Sequence, residues 1–230
     1  MTAFSILLVG LLLGMKHATE ADHLAAVATL ATREATLAQT LRQGVAWGVG
    51  HTLSLMLFGG IVFVLGRAIS PSLEQALETA VGIMLVVLGA DVLRRLSAGR
   101  IAWLTSRHVH QQTHQHVQRH ARQAPARPWP LRALAVGMMH GLAGSAALVM
   151  LSLQSLPSWS IGLGYIAVFG LGSIIGMALL SAAIALPLRL SARYLLGLHR
   201  SMTGLIGLFS CALGGYMVVE IGYLRCALFG

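Results

Sequence analysis

The chain has 230 residues, of which 56% are hydrophobic and only 10% are charged. A soluble domain carries about 25% charged residues, so this composition excludes an ordinary soluble protein and predicts an integral membrane protein. The net charge of +9 does not indicate nucleic-acid binding, because the basic residues gather in a few loops between apolar segments.

Six apolar runs are each long enough to cross about 30 Å of hydrocarbon. They lie at about 3–31, 44–66, 76–93, 131–152, 161–188 and 202–224. The runs are continuous and rich in Leu, Ala and Gly, unlike the alternating strands of a membrane β-barrel. The predicted fold class is therefore an all-α integral membrane protein with six transmembrane helices.

The basic residues predict the orientation of these helices. Of the 16 basic residues, 13 lie in the loops after the first, third and fifth runs. By the positive-inside rule these loops face the cytoplasm, and both termini face outwards. We therefore expect a multi-pass protein of the cell's inner (cytoplasmic) membrane, with the lipid bilayer as its environment and no nucleic-acid partner.

The two halves of the chain resemble each other. The segment 11–30 aligns with 134–153 and matches His17 with His140, while the second and third helices align at nearly the same offset. Because each half has three spans, the second half enters the membrane from the opposite side, which is the inverted-topology repeat common in secondary transporters. The predicted organisation is a first three-helix repeat with a metal-binding motif at 1–94, a cytoplasmic His/Arg-rich loop at 95–130 and a second three-helix repeat at 131–230.

The stretch from Gly14 to His23 places ionisable residues inside the first apolar run. Its ionisable residues are Lys16, His17, Glu20, Asp22 and His23. Such groups cost roughly 2.5–3.5 kcal/mol each at membrane depth, so they normally face a bundle interior and mark a pathway. A salt-bridged helix end, with Lys16 and Glu20 paired at i, i+4, is the alternative, but it leaves both histidines and Asp22 unexplained.

A regular first helix cannot bring these side chains together. At 3.6 residues per turn, His17, Asp22 and His23 point in three widely separated directions, and the run is too long for one straight span. An interruption near 14–23 removes both difficulties, and irregular backbone is tolerated there if it is buried in protein or lines a cavity. We expect Gly14 to begin the break.

Two further histidines lie at a similar membrane depth on other predicted helices, His51 on the second and His140 on the fourth. Imidazole and carboxylate groups together are typical ligands of divalent transition metals. The candidate metal ligands are His17, Asp22, His23, His51 and His140, with Lys16 and Glu20 as candidate outer-sphere residues. Singly, each histidine could equally be a hydrogen-bonded core residue.

The segment KHATEADH, at 16–23, resembles the H-x4-D-H signature of the nickel/cobalt transporter (NiCoT) family. Gly50-His51-Thr52 is similar to that family's Gly-His-Ser/Thr motif on its next helix. The resemblance covers about residues 10–60, with Lys16 and Glu20 departing from the usual arginine and aspartate. The short six-helix form also resembles membrane permeases of the urease-accessory type in the same superfamily. The resemblance implies Ni²⁺ or Co²⁺ transport, with His17, Asp22 and His23 recognising the ion.

The third predicted loop contains a second group of histidines with metal-chelating i, i+4 spacings. They are His108, His110, His114, His116 and His120. A low-affinity cytoplasmic metal reservoir or sensor is one interpretation, and a solvated polar linker is the other.

The predicted function is transport of nickel or cobalt through a His/Asp site in the interrupted first helix. The ion is the transported ligand, no permanent cofactor is expected, and the chain is not expected to be an enzyme, because it has no H-E-x-x-H helix and no nucleophile–base pair. Two alternatives stay open: efflux of the same ions, and a membrane scaffold that delivers metal to urease or hydrogenase maturation proteins through a cytoplasmic metallochaperone.

Overall fold

The computed structural model describes residues 3–34, 36–65, 70–106, 130–142 and 159–221. Within these ranges it contains seven α-helices and no strand. In chain order they are α1 Ala3–His17, α2 Ala21–Ala31, α3 Leu37–Leu65, α4 Pro71–Ser106, α5 Leu131–Gly141, α6 Trp159–Tyr194 and α7 Leu196–Val219. The loop histidines predicted to bind metal, at 108–120, lie outside the described residues.

Several of these helices can cross a membrane. The candidate spans are Leu37–Ile61, Pro71–Ala98, Ile161–Ala192 and Leu196–Val219, and the bent pair Phe4–His17 and Ala21–Ala31 makes a fifth. The expectation of an all-helical, multi-pass membrane protein is therefore confirmed. The sixth predicted span, 131–152, is described only as far as Leu142, so six spans remain a prediction.

Several helices extend beyond the apolar runs that predicted them. The third span was predicted to end at 93, but α4 continues to Ser106. The fifth was predicted at 161–188, but α6 continues through Pro187 to Tyr194. Apolar composition marks only the part of a helix that lipid would surround, whereas the backbone hydrogen bonds continue into the polar segment.

The first apolar run is broken, as predicted. α1 and α2 meet at an angle of 59° across a three-residue connection. The amide N–H groups of Thr19 and Glu20 donate to the carbonyls of Lys16 and His17, so the helix closes in tight turns. Glu20 is extended, with φ −63° and ψ 152°, and the next helix starts at Ala21.

Gly14 does not begin this break, which corrects one expectation. Gly14 is a helical residue of α1, and its carbonyl accepts hydrogen bonds from the amide of Ala18 and the hydroxyl of Ser173. A Cβ at this position would lie 2.1 Å from the carbonyl oxygen of Phe169. The glycine is therefore needed because α1 packs directly on the backbone of α6.

The helix contacts come in corresponding pairs. Gly14 packs on the carbonyl of Phe169, and Gly137, its partner in the alignment of the two halves, packs on the carbonyl of Trp47. The first helix of each half thus contacts the second helix of the other half. α4 and α7 meet through reciprocal glycines, Gly82 with Gly214 and Gly89 with Gly207. An inverted repeat predicts such pairing, and it stays a prediction while 143–158 lie outside the described residues.

Candidate metal centre

The break between α1 and α2 brings the three motif side chains to one place. His17 is the last residue of α1, and Asp22 and His23 lie in the first turn of α2. Because the helix axis turns between them, side chains that would diverge on a straight helix converge. The ring centroids of His17 and His23 are 4.5 Å apart.

Glycines bring the other two histidines to the same place. Gly137 and Gly141 lie one turn apart on α5, and a Cβ at either would come within 2.5 Å of the backbone oxygens of Trp47 and His51 respectively. α5 therefore lies directly against α3, and it presents His140 beside His51 with ring centroids 6.2 Å apart. All five predicted ligands thus lie in one cluster.

Asp22 joins two of the histidines. Its Oδ1 lies 2.9 Å from Nδ1 of His23 and accepts a hydrogen bond from the His23 amide, and its Oδ2 lies 2.9 Å from Nε2 of His140. The carboxylate, 25% exposed, is the most accessible member of the cluster, because the four histidines are at most 5% exposed. Asp22 is therefore the member that an arriving cation can contact first.

Within the part of the chain that the structure describes, six buried ring nitrogens of the cluster have no hydrogen-bond partner. They are both nitrogens of His17, both nitrogens of His51, Nε2 of His23 and Nδ1 of His140. An unsatisfied buried polar group costs about 1–3 kcal/mol, so native proteins contain few of them and each requires an explanation. A ligand that accepts electron pairs from imidazole explains this concentration directly.

The donor set fits a divalent first-row transition metal. The described residues contain two groups of candidate ligands, and inside each group all ligand atoms lie within 4.8 Å of one another. One group is His17, His23 and His51, and the other is Asp22, His23 and His140. Imidazole suits nickel, cobalt and zinc, while a carboxylate adds the charge that a divalent cation needs. Among the described residues the site has no thiolate, which disfavours soft ions such as Cu(I).

The two predicted outer-sphere residues are placed differently. Glu20 lies beside the cluster, because its Oε1 is 2.9 Å from Nδ1 of His17, although the contact lacks hydrogen-bond geometry and Glu20 is 48% exposed. Lys16 is exposed, and its carbonyl oxygen accepts hydrogen bonds from Thr19. Glu20 therefore contacts the cluster, whereas the side chain of Lys16 is exposed.

The sequence analysis missed two aromatic residues of the site. Trp47 stacks on His23, with ring planes 4° apart, and its ring also meets that of His140 at 5.8 Å. Phe169 lies 5.6 Å from His17. Trp47 precedes His51 by one helical turn, so helical periodicity could have placed it on the same face of α3. Its contacts with α2 and α5 could not be predicted from the sequence.

The fold and site define a multi-pass helical membrane protein with a buried His/Asp cluster at a broken helix. The chain belongs to the family described as the cytochrome c biogenesis protein transmembrane region, whose sequence model matches residues 4–219. No solved structure matches the chain.

Relatives among characterised proteins agree with this assignment. The chain is 34% identical to urease accessory protein UreH of Bacillus sp. (strain TB-90) over 218 residues, which cover 95% of this chain and 92% of UreH. It is also 27% identical to the chloroplast protein FOR GROWTH AND FERTILITY 1 of Arabidopsis thaliana, over 76% of this chain and 48% of that protein. The UreH match confirms the resemblance to urease-accessory membrane proteins of the nickel/cobalt transporter superfamily. Neither relative is named as an enzyme.

Proposed function

We propose that this protein transports Ni²⁺ or Co²⁺ across the cytoplasmic membrane through the His/Asp cluster. The observation that carries the proposal is the concentration of unpartnered, buried imidazole nitrogens around one carboxylate. The relationship to a urease accessory protein supports it, because urease is a nickel enzyme.

The cluster can exchange the hydration shell of the ion for protein ligands. Asp22 is partly exposed and negatively charged, so it attracts a hydrated cation first, and the neutral imidazoles behind it replace water molecules one by one. Asp22 must give up its contacts with His23 and His140 when it binds the ion. In the metal-free state the Asp22 carboxylate therefore contacts the two histidines, and in the metal-bound state it would contact the ion.

The paired helix contacts support alternating access. If the two halves form an inverted repeat, rocking one half against the other would open the site to each side of the membrane in turn. In this arrangement both termini lie outside, and the loop at 95–130 lies in the cytoplasm. The direction of flux, inward or outward, then follows from the energy source rather than from the ligands.

Metal flux into proteoliposomes tests the proposal. We expect the wild-type protein to carry radiolabelled nickel across the bilayer and Asp22→Asn to abolish the flux while incorporating normally. His199→Ala is the matched control, because the ring of His199 bonds to the carbonyl of Leu188 at the α6–α7 connection. Absence of nickel and cobalt flux through the wild-type protein would refute transport.

A metal-delivery scaffold is the second candidate function. A cavity of about 590 Å³ opens beside the ends of α2 and α5, and its lining includes Arg33, Arg42, Arg95 and Arg132. Asp91 pairs with Arg33 and Arg95, and Glu34 also lines the cavity, so four arginines face two carboxylates. The lining is therefore positively charged overall and able to dock an acidic metallochaperone. Nickel binding without flux, together with capture of a purified acidic metallochaperone, would favour this candidate.

A further inference from the structure

His23 belongs to both sets of candidate ligands. One set, called the histidine set, consists of His17, His23 and His51, and the other, called the carboxylate set, consists of Asp22, His23 and His140. The His23 ring is the shared member, at 4.5 Å from the ring of His17 and 4.1 Å from that of His140.

A single ion cannot contact all five residues in this arrangement. Two nitrogen or oxygen ligands of one ion, each at about 2.1 Å, can be at most about 4.2 Å apart. The ligand atoms of each set lie within 4.8 Å of one another, so each set needs only a small side-chain movement to reach this limit, whereas the five residues together do not form one such group. The cluster therefore divides around His23.

The two sets differ in chemistry and in access. In the carboxylate set, Asp22 is 25% exposed, and its oxygens already contact ring nitrogens of His23 and His140. In the histidine set, all three rings are buried, and each has a nitrogen without a hydrogen-bond partner. The first set suits a partly hydrated ion, and the second suits one that has lost more of its water.

We propose that the cluster holds the transported ion in two successive positions, one in each ligand set, with His23 as the common ligand. This proposal rests on the proposed function. The His23 ring borders both positions, because its Nδ1 contacts Asp22 and its Nε2 is a buried nitrogen without a hydrogen-bond partner among the described residues. The ion therefore exchanges Asp22 and His140 for His17 and His51 beside the same ring, and it changes from one nitrogen of His23 to the other.

Binding measurements can separate two positions from one. For the first ion bound, the association constants of alternative positions add, so the stronger position supplies at least half of the total. The variant His51→Ala keeps the carboxylate set intact, and the variant His140→Ala keeps the histidine set intact. One of these two variants must therefore have an affinity for Co²⁺ within about twofold of that of the wild type. The double variant and His23→Ala disrupt both sets, so their affinity should fall by more than the roughly 10–100-fold that the loss of an outer-shell partner causes.

X-ray absorption of the bound Co²⁺ provides a readout independent of transport. We expect about three imidazole ligands in His140→Ala and about two, with a carboxylate oxygen, in His51→Ala, from the composition of each set. The polar variants His51→Asn, His140→Asn and His23→Gln repeat the comparison if an alanine variant fails to reach the membrane, and His199→Ala is again the control.

The outcomes distinguish the two proposals. Equal losses above tenfold in His51→Ala and His140→Ala, with the same imidazole count in both, would overturn the two positions and leave a single site. Co²⁺ binding that follows the two-position pattern without flux in proteoliposomes would overturn transport alone. A wild-type protein that binds no Co²⁺ would overturn both.

Discussion

Gly137 on α5 sets how closely His140 can approach Asp22, and Gly137→Ala tests this directly. The added Cβ would lie 2.2 Å from the carbonyl oxygen of Trp47 and 2.2 Å from its Cδ1. Because ordinary contact begins near 3.4 Å, α5 must move away from α3 by about 1.2 Å. α5 carries His140 with it, and a displacement of this size is enough to break a 2.9 Å contact such as the one between His140 and Asp22.

We expect Gly137→Ala to change the free energy of unfolding only modestly. Overpacking costs typically about 1–3 kcal/mol, but alanine is better than glycine in a helix by about 1 kcal/mol. The net effect lies between neutral and about 2 kcal/mol of destabilisation, so we expect the variant to reach the membrane. Gly60→Ala on α3 is the matched control, because no atom of the described residues lies within 4 Å of its added Cβ and only the helix preference changes.

Nickel titration of the purified protein measures the consequence. In the His51→Ala background, where only the carboxylate set remains, we expect Gly137→Ala to weaken nickel binding by about tenfold or more, on the scale of losing an outer-shell contact. Gly60→Ala in the same background should leave the affinity unchanged. Immunoblotting of membrane fractions checks that both variants are present at normal levels. An unchanged affinity on adding Gly137→Ala would show that the close approach of α5 does not position His140 for the ion.

Two other predictions concern the loop and the pH. Deleting 108–120 should leave nickel flux detectable and alter its apparent affinity, because the segment lies outside the predicted spans; a loss as complete as that of Asp22→Asn would make the loop part of the obligatory pathway. Nickel binding should weaken on acidification, because an imidazole binds metal only after any bound proton has left. A nickel affinity that stays constant on acidification would contradict imidazole ligands.

The sequence by itself determined the class of protein and the chemistry of its site. Continuous apolar runs of this length are typical of membrane helices, because the backbone N–H and C=O groups must bond to each other within lipid. The ionisable residues at 16–23 were conspicuous because charge is rare in such runs. Even the bend between α1 and α2 was predictable, since a regular helix cannot aim His17, Asp22 and His23 at one point.

Only the tertiary structure decided how the cluster is assembled. Helical periodicity fixes the direction of a side chain on its own helix but not the distance to the next helix, so it could not divide the ligands into two sets around His23. For α5 and α3 that distance depends on close contacts at Gly137 and Gly141, which bring His140 beside His51. The position of the break also depended on tertiary contacts: Gly14 stays helical because α1 packs on the backbone of α6, and the chain turns only after His17, where that helix ends.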